Sequence, residues 1–403
     1  MKYLRFGYIT GPLLGVLWSF VLAVTVAVAM SFATGEAFRP SITGALIFGI
    51  PTGLALVWRA QTVIASAVLA VVYFIALSLG IGPVLTGNVS LIARVVAALF
   101  MGIGIGWPLV VYLKDLPMGA LTRHEFEAAV IKALRGFGYV FFTAIVVIPF
   151  YVMLMTSLKN QAELMQNPLD FSIDLSKGWG LFRSYVELIT EFNFGTYMWT
   201  SFYISVLTVL ITLLFAIPGA YAVARLRFRG QAAFSRSILL IYMVPMIVLA
   251  LPIYIAFSMM GLRNSIVGIV MIYPVTTIPV ALYMLQGYFR GLPSEVEEAG
   301  LMDGLSRLQV IWKITLPLSL PALASVSLYV FMIAWNEFLL AFMLLDDPSK
   351  FTLTRGIASL NSSEIPRQHL MAGSVIATVP IMALFLGLEK FMTKGLTAGS
   401  VKG

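Results

Sequence analysis

Long runs without a single charged side chain dominate this sequence. The first extends from Phe6 to Gly35 and the longest from Ala60 to Ala93. A helix that crosses a bilayer needs about 20 predominantly apolar residues. In hydrocarbon, a helix is the one open-ended structure that satisfies its own backbone polar groups. The sequence therefore predicts an all-α integral membrane protein.

Ten membrane helices follow from these runs, four before a polar stretch at 114–135 and six after it. The run from Ala60 to Ala93 breaks at Gly80-Ile81-Gly82-Pro83 and near Gly87-Asn88, which are turn signals. Its second part leads into the fourth helix. The apolar segments are Phe6–Gly35, Pro40–Trp58, Ala60–Ala93, Val95–Leu113, Gly136–Leu158, Phe192–Ala224, Ser237–Leu262, Asn264–Phe289, Ile314–Asn336 extending to Leu345, and Leu370–Leu388.

Composition excludes several other classes of protein. Of 403 residues, 60% are apolar and 11% are charged, whereas a soluble domain has about a quarter charged. The first run is too long for a cleavable signal peptide, whose apolar region has about 7–15 residues. Cysteine is absent and the two histidines, His124 and His369, are far apart in sequence. We expect no metal site and no cofactor bound by this chain.

The distribution of cations predicts the orientation. With the N-terminus inside, seventeen of the 26 Lys and Arg fall on the cytoplasmic side, eight fall outside, and Arg94 lies within a span. Cytoplasmic loops of membrane proteins carry this excess of cations. The net charge of +8 therefore reflects topology, and we expect no nucleic-acid partner. Both termini should be cytoplasmic.

The loop after the eighth predicted helix carries the strongest functional signal. Ser294 with Glu297, and Ser306 with Gln309, have the spacing of capping boxes at two helix starts. Gly304 lies between them and suits a left-handed helix stop. Pro317 and Pro321 should close the second helix. The first helix is acidic through Glu295, Glu297 and Glu298, which favours a protein partner over anionic headgroups.

This loop resembles the "EAA" loop of ABC importer permeases. The matching residues are Glu298, Ala299, Gly300, Gly304, Ile314, Leu316 and Pro317, together with Glu297 and Asp303. The resemblance implies a coupling helix, within 292–321, that inserts into a groove of an ATPase subunit. One position departs from the motif, because Gly300 stands where the family usually has Ala; the change loosens a helix by up to ~1 kcal/mol.

Further residues narrow the resemblance to the carbohydrate-uptake, maltose-type branch with a type I importer core. They are Pro149-Phe150, Thr156–Lys159, Ala220-Tyr221-Ala222, Arg225, Phe228-Arg229-Gly230, Trp335-Asn336-Glu337-Phe338 and the tail from Gly395 to Gly403. The similarity extends from about Gly136 to the end. Residues 1–135 are therefore predicted to be an accessory region of four extra helices, and 136–403 the permease core. The accessory helices could be an assembly platform, a lipid-facing shield or a regulatory contact.

The resemblance also implies the partners and the place of the chain. These are a dimer of ATPase subunits carrying ATP-Mg, a second permease subunit in a heterodimer, and an extracytoplasmic solute-binding protein. The membrane would be the cytoplasmic (inner) membrane of a prokaryote. The sequence contains no Gly-x-x-x-x-Gly-Lys-Ser/Thr loop, so ATP should be hydrolysed by another chain. The chain is then a non-catalytic permease subunit that moves a sugar or oligosaccharide inward.

Polar residues inside the spans are candidates for the translocation path. Asn336 and Glu337 fall within the ninth predicted span, where ionisable groups usually face a cavity or a partner. Glu337 could equally be an interfacial cap. Tyr203 could stack on a sugar, although most such tyrosines pack. The outer segment 159–191, with Trp179, Phe182 and Tyr185, is a candidate dock for the binding protein or a solvated connector.

Two other functions, secondary transport and membrane-embedded catalysis, predict features that the sequence lacks. A secondary transporter would show internal repeats and carboxylates near the middle of several spans, but the spans contain almost no Asp or Glu. A membrane-embedded enzyme would need clustered His, Asp or Glu at the bilayer surface, and the sequence offers no such cluster. The coupling loop decides for the permease.

Overall fold

The computed structural model describes residues 4–58, 62–167, 170–362 and 364–397. The end of the C-terminal tail motif, residues 398–403, lies outside them, as do Lys2, Arg59 and Lys402 of the cation distribution. The chain divides into two compact units, Met1–Leu181 and Phe182–Gly403. The division at Gly136, drawn from the resemblance, stays a prediction.

The first unit contains four apolar helices and one longer helix. They are α1 (Gly7–Thr34), α2 (Ile42–Trp58), α3 (Thr62–Ser78), α4 (Leu91–Leu113) and α5 (Arg123–Ser157), followed by the short α6 (Gln161–Gln166). The loops after α1 and α3 also pair as two three-residue antiparallel strands, β1 (Phe38–Pro40) and β2 (Val84–Thr86), with Arg39 opposite Leu85. This small sheet is an addition to the predicted all-α fold.

Glycines set the spacing between the helices of the first unit. A Cβ at Gly15 of α1 would come within 2.2 Å of the Gly49 carbonyl oxygen of α2, and one at Gly53 would come equally close to the Gly11 carbonyl oxygen. On α4, a Cβ at Gly102 would meet the backbone of Ala70. Small residues let membrane helices approach closely. The resulting van der Waals contacts hold the helices together, because no hydrophobic driving force acts between helices in lipid.

The longest helix, α5, begins in the polar stretch and continues through the fifth predicted span. Thr122 and Glu125 form a capping box at its start. Lys132 Nζ lies 2.9 Å from Asp115 Oδ2. At the far end, the Tyr151 hydroxyl donates to the carbonyl oxygens of Phe32 and Phe171. Between these contacts most of the apolar part of α5 is exposed or half-buried within the chain.

The second unit carries the remaining helices. After a 3₁₀ segment (Leu175–Phe182) they are α7 (Arg183–Thr190), α8 (Phe194–Arg225), α9 (Gln231–Tyr242), α10 (Met246–Met259), α11 (Ile266–Gly291), α12 (Ser294–Met302), α13 (Arg307–Val310), α14 (Leu316–Leu318), α15 (Leu320–Asn336), α16 (Leu339–Leu344), a 3₁₀ turn (Pro348–Lys350), α17 (Leu353–Ser359) and α18 (Arg367–Thr397), with a π turn (Ile311–Thr315) between α13 and α14.

A row of small polar residues lies along the buried side of α8. Ser201, Ser205, Thr208 and Thr212 are all buried. Thr212 Oγ1 lies 2.6 Å from Thr277 Oγ1 of α11, and Ser201 Oγ accepts from the Leu353 N–H at 2.7 Å. Thr212 and Thr277 thus join α8 to α11 through their hydroxyls, and Ser201 joins α8 to α17. Small polar side chains of this kind let membrane helices pack closely.

The helices confirm the predicted membrane fold. Among the described residues, six helices are long and apolar enough to cross a membrane: α1, α4, α5, α8, α11 and the 367–388 part of α18. Residues 307–336 form a seventh candidate bent by 81°. Three shorter apolar helices, α2, α3 and α10, lie in the other predicted segments. Each of the ten segments thus contains an apolar helix.

Orientation can be tested by cysteine labelling, because the sequence has no native cysteine. Ser306 and Ala162 are both exposed in the structure and belong to segments predicted on opposite sides. In intact cells we expect a membrane-impermeant maleimide to label Ala162→Cys and to leave Ser306→Cys unlabelled until the membrane is opened. Labelling of Ser306→Cys in sealed cells would contradict the topology.

Candidate coupling site

The predicted coupling loop forms a helix, a glycine turn and a second helix. The first helix, α12, begins at Ser294 with Pro293 at the N-cap position, and no side chain caps its start. The capping box predicted for Ser294 and Glu297 is therefore wrong. Ser294 is already the first helical residue, and Glu297 turns its carboxylate away from the helix start toward the protein interior.

Gly304 ends α12 as the sequence predicts. Its φ is +85°, in the left-handed region that suits glycine. The Leu305 N–H donates to the Gly300 carbonyl and the Gly304 N–H donates to the Leu301 carbonyl. This pair of bonds is the Schellman motif, which satisfies carbonyls that a helix end would leave free.

The second helix starts at the predicted capping box and runs further than a single short helix. Ser306 Oγ accepts from the Gln309 N–H at 3.3 Å, and Gln309 Oε1 accepts from the Ser306 N–H at 2.8 Å. After α13 the chain forms the π turn and then α14, which ends at Leu318, one residue after Pro317. The wider turn is consistent with Pro317, whose ring crowds the preceding helical carbonyls. The chain bends by 81° before α15.

Two faces of α12 differ sharply in exposure. Glu298, Ala299, Met302 and Asp303 are exposed, and Met302 is 88% exposed. Glu297 and Gly300, three residues apart and so on one helix face, are buried. The exposed face presents two carboxylates around an apolar side chain, a surface able to dock on a protein.

Glu297 lies at a junction of three other segments. Its carboxylate accepts from Thr315 Oγ1 at 3.0 Å and from the Tyr221 hydroxyl at 3.4 Å. Arg225 Nε lies 3.5 Å from Glu297 Oε2. Glu297 therefore does not share the exposed acidic face with Glu295 and Glu298. The sequence offered one signal for this position: the helical spacing that puts Glu297 on the side of Gly300.

The packing around Gly300 explains why glycine stands there. A Cβ at Gly300 would lie 2.5 Å from Ile314 Cδ1, with Leu305 and Val310 close by. Ile314 thus fills the space that an alanine methyl would take. Leu316 is partly buried and Pro317 is exposed. The predicted coupling residues are accordingly brought together, some as packing and some as surface.

The predicted path residues have separate surroundings. Glu337 lies in the break between α15 and α16, where its carboxylate accepts from the N–H groups of Leu340 at 2.9 Å and Ala341 at 3.1 Å. The exposed Asn336 donates to the Met332 carbonyl, and Tyr203 packs against Trp199. The contacts of Glu337 are those of a helix cap. A role of these three residues in the path stays a prediction.

On the predicted outer side, α7 shows an apolar stripe. Phe182, Val186 and Ile189 are exposed. Its opposite side holds Glu187, which lies 2.6 Å from Arg183 Nε and 2.7 Å from His369 Nε2. The Arg183 hydrogen bond holds the pKa of Glu187 below its usual value. The contact with His369 ties α7 to the start of α18. Within the described residues, no cluster of His, Asp or Glu could hold a metal ion.

The chain is similar in sequence to known membrane transport proteins. A family model described as "Binding-protein-dependent transport system inner membrane component" matches residues 216–397. The inner membrane ABC transporter permease protein YcjP of Escherichia coli is 37% identical over 269 residues, 66% of this chain and 95% of that protein. The trehalose/maltose transport system permease protein MalG of Thermococcus litoralis is 32% identical, over 69% of this chain and 99% of that protein.

Other comparisons agree in extent. The arabinooligosaccharides transport system permease protein AraQ of Halalkalibacterium halodurans is 31% identical, over 68% of this chain and 98% of that protein. A crystal structure of a bacterial ABC transporter involved in the import of the acidic polysaccharide alginate matches with a TM-score of 0.56 and 23% identity, covering 67% of this chain and 98% of that one. About a third of this chain lies outside the match to each of these three permeases and to the alginate transporter.

The turn at Gly304 can be tested without steric ambiguity, because a Cβ there would meet nothing within 4 Å. Gly304→Val should strain the backbone by about 1–3 kcal/mol, whereas Gly304→Asn should be tolerated, since asparagine enters the left-handed region more readily. We expect the valine variant to stay in the membrane. Its affinity for the expected ATPase subunit should fall about 5–150-fold, the change that a free energy of ~1–3 kcal/mol produces. Affinity co-purification measures this. Equal retention by the valine and parental chains would contradict it.

Proposed function

Because this chain belongs to the family of binding-protein-dependent ABC transporter permeases, we propose that it moves a sugar or oligosaccharide into the cytoplasm while a separate subunit hydrolyses ATP. The observation that carries the proposal is the exposed face of α12, which presents Glu298, Met302 and Asp303. The other face of the helix is buried against the protein. A chain without a phosphate-binding loop needs such a surface to receive work from an ATPase.

The substrate class rests on the relatives. Their names specify trehalose or maltose and arabinooligosaccharides. The spans of this chain contain almost no Asp or Glu, which favours a solute recognised through hydroxyls over one carried with a coupling proton or sodium ion. A sugar or oligosaccharide satisfies both observations.

The complete transporter would contain this chain, a second permease subunit forming a heterodimer with it, two ATPase subunits carrying ATP-Mg, and an extracytoplasmic solute-binding protein. The exposed face of α12 would meet the ATPase on the cytoplasmic side. The apolar stripe of α7, Phe182, Val186 and Ile189, would lie on the outer side and help to dock the binding protein. Both termini would be cytoplasmic in the inner membrane of a prokaryote.

The division of labour can be measured with purified subunits. We expect this chain alone in lipid vesicles to hydrolyse no ATP, and the assembled transporter to hydrolyse ATP faster when the binding protein is loaded with its sugar. Vesicles prepared in the same way from cells that lack this chain serve as the control for contaminating ATPase. Hydrolysis by the isolated chain, or a solute of another chemical class held by the co-purified binding protein, would contradict the proposal.

A further inference from the structure

Glu297 is the only acidic residue of α12 that the structure buries, and its exposed fraction is 7%. The neighbouring Glu298 is exposed. A carboxylate taken out of water is strongly unfavourable unless charges and hydrogen bonds compensate it. Here the compensation comes from Tyr221 and Arg225 at the end of α8 and from Thr315 in the π turn. We call these four residues, Tyr221, Arg225, Glu297 and Thr315, the clamp.

Arg225 gives the clamp its reach. It is the last residue of α8, and its side chain is 13% exposed. One guanidinium nitrogen, Nη2, donates to the Leu292 carbonyl oxygen at 2.7 Å, just after the end of α11. Another, Nε, lies 3.5 Å from Glu297 Oε2, which makes an ion pair without a hydrogen bond. One hydrogen bond and one ion pair of the same planar guanidinium therefore join the ends of α8 and α11 to α12.

Apolar packing completes the attachment of α12. Ile314, Leu305 and Val310 surround Gly300 on the same side of the helix as Glu297, and the Tyr221 ring lies edge-on to Phe289 of α11. If α12 shifted relative to α8, the Glu297 carboxylate would lose its cation while still shielded from water. Breaking a buried pair in this way is strongly unfavourable, unlike breaking an exposed one.

We propose that the clamp residues are positioning residues, which make α12 move as one body with the ends of α8 and α11, so that motion of the ATPase reaches the translocation helices. The proposal rests on the proposed function. It also reassigns Glu297, which the sequence places among the ATPase-contacting residues, to the opposite side of α12. Glu298, Met302 and Asp303 then form the contact surface, and Glu297 transmits the motion of α12 to α8 and α11.

A distance measurement tests the positioning without any transport assay. Spin labels at Met302→Cys and Arg227→Cys, both exposed and on α12 and just after α8, should give one narrow distance distribution in the full-length chain in lipid nanodiscs. With Arg225→Met added, we expect the distribution to broaden about twofold, because Glu297 is left buried without its cation. With Arg225→Met and Glu297→Gln together, it should narrow again, since a neutral pair needs no cation.

The matched control is Arg290→Met. Arg290 is an exposed cation in the last turn of α11, so its removal should leave the distribution unchanged. Should Arg225→Met fail to reach the membrane, Arg225→Lys is measured instead, because lysine keeps the charge but loses the two-way fork. A distribution as narrow in the Arg225 variant as in the parent would overturn the proposal.

A second measurement separates transmission from assembly. In vesicles containing the assembled transporter, Glu297→Gln and Arg225→Met should each keep the ATPase subunit at parental stoichiometry. The amount of solute moved per ATP hydrolysed should fall about tenfold, within the usual range of coupling between sites. Loss of the ATPase subunit from Glu297→Gln would show direct contact and overturn the clamp. A parental complex that moves no sugar would refute the proposed function and leave the distance test standing.

Discussion

A bilayer offers no partner to a backbone N–H or C=O, and the rest of this structure depends on that constraint. It forces the apolar runs into helices, because each helix satisfies its own backbone. Charged side chains therefore lie mainly in the segments between the helices. The helices hold each other through small residues, as where Gly15 meets Gly49 and where Thr212 meets Thr277. The segment 292–321 lies between two helices, and its exposed residues are the proposed contact with a partner.

The coupling loop shows how a charged helix can be attached to such a scaffold. Its outer face is exposed and carries Glu298 and Met302, while its inner face buries a carboxylate against Arg225. An exposed ion pair would contribute little, but a shielded one resists separation because each charge depends on the other. The same short helix can therefore meet a partner on one side and remain fixed to the protein on the other.

Local signals in the sequence were the ones that predicted structure correctly. The charge-free runs predicted the helices, Gly304 predicted the left-handed stop, and Ser306 with Gln309 predicted a cap, since each depends on nearby residues alone. The cap at Ser294 failed because Glu297 is drawn to Arg225 and Thr315, which are distant in sequence. The contact of Thr315 with Glu297 and the pairing of β1 with β2 could not be predicted from the sequence, because each joins segments that are distant along the chain. The predictions for Asn336, Glu337 and Tyr203 depend on a path that a single chain does not define.

The central claim is that the exposed face of α12 is where this permease meets its ATPase. Site-specific cross-linking tests it most directly, since Met302 is 88% exposed at the end of α12 and Met260 is 65% exposed at the end of α10. In the assembled transporter, Met302→Cys should cross-link to a cysteine in the ATPase subunit groove, and Met260→Cys should not. A fully assembled complex in which Met260→Cys cross-links and Met302→Cys does not would contradict the account.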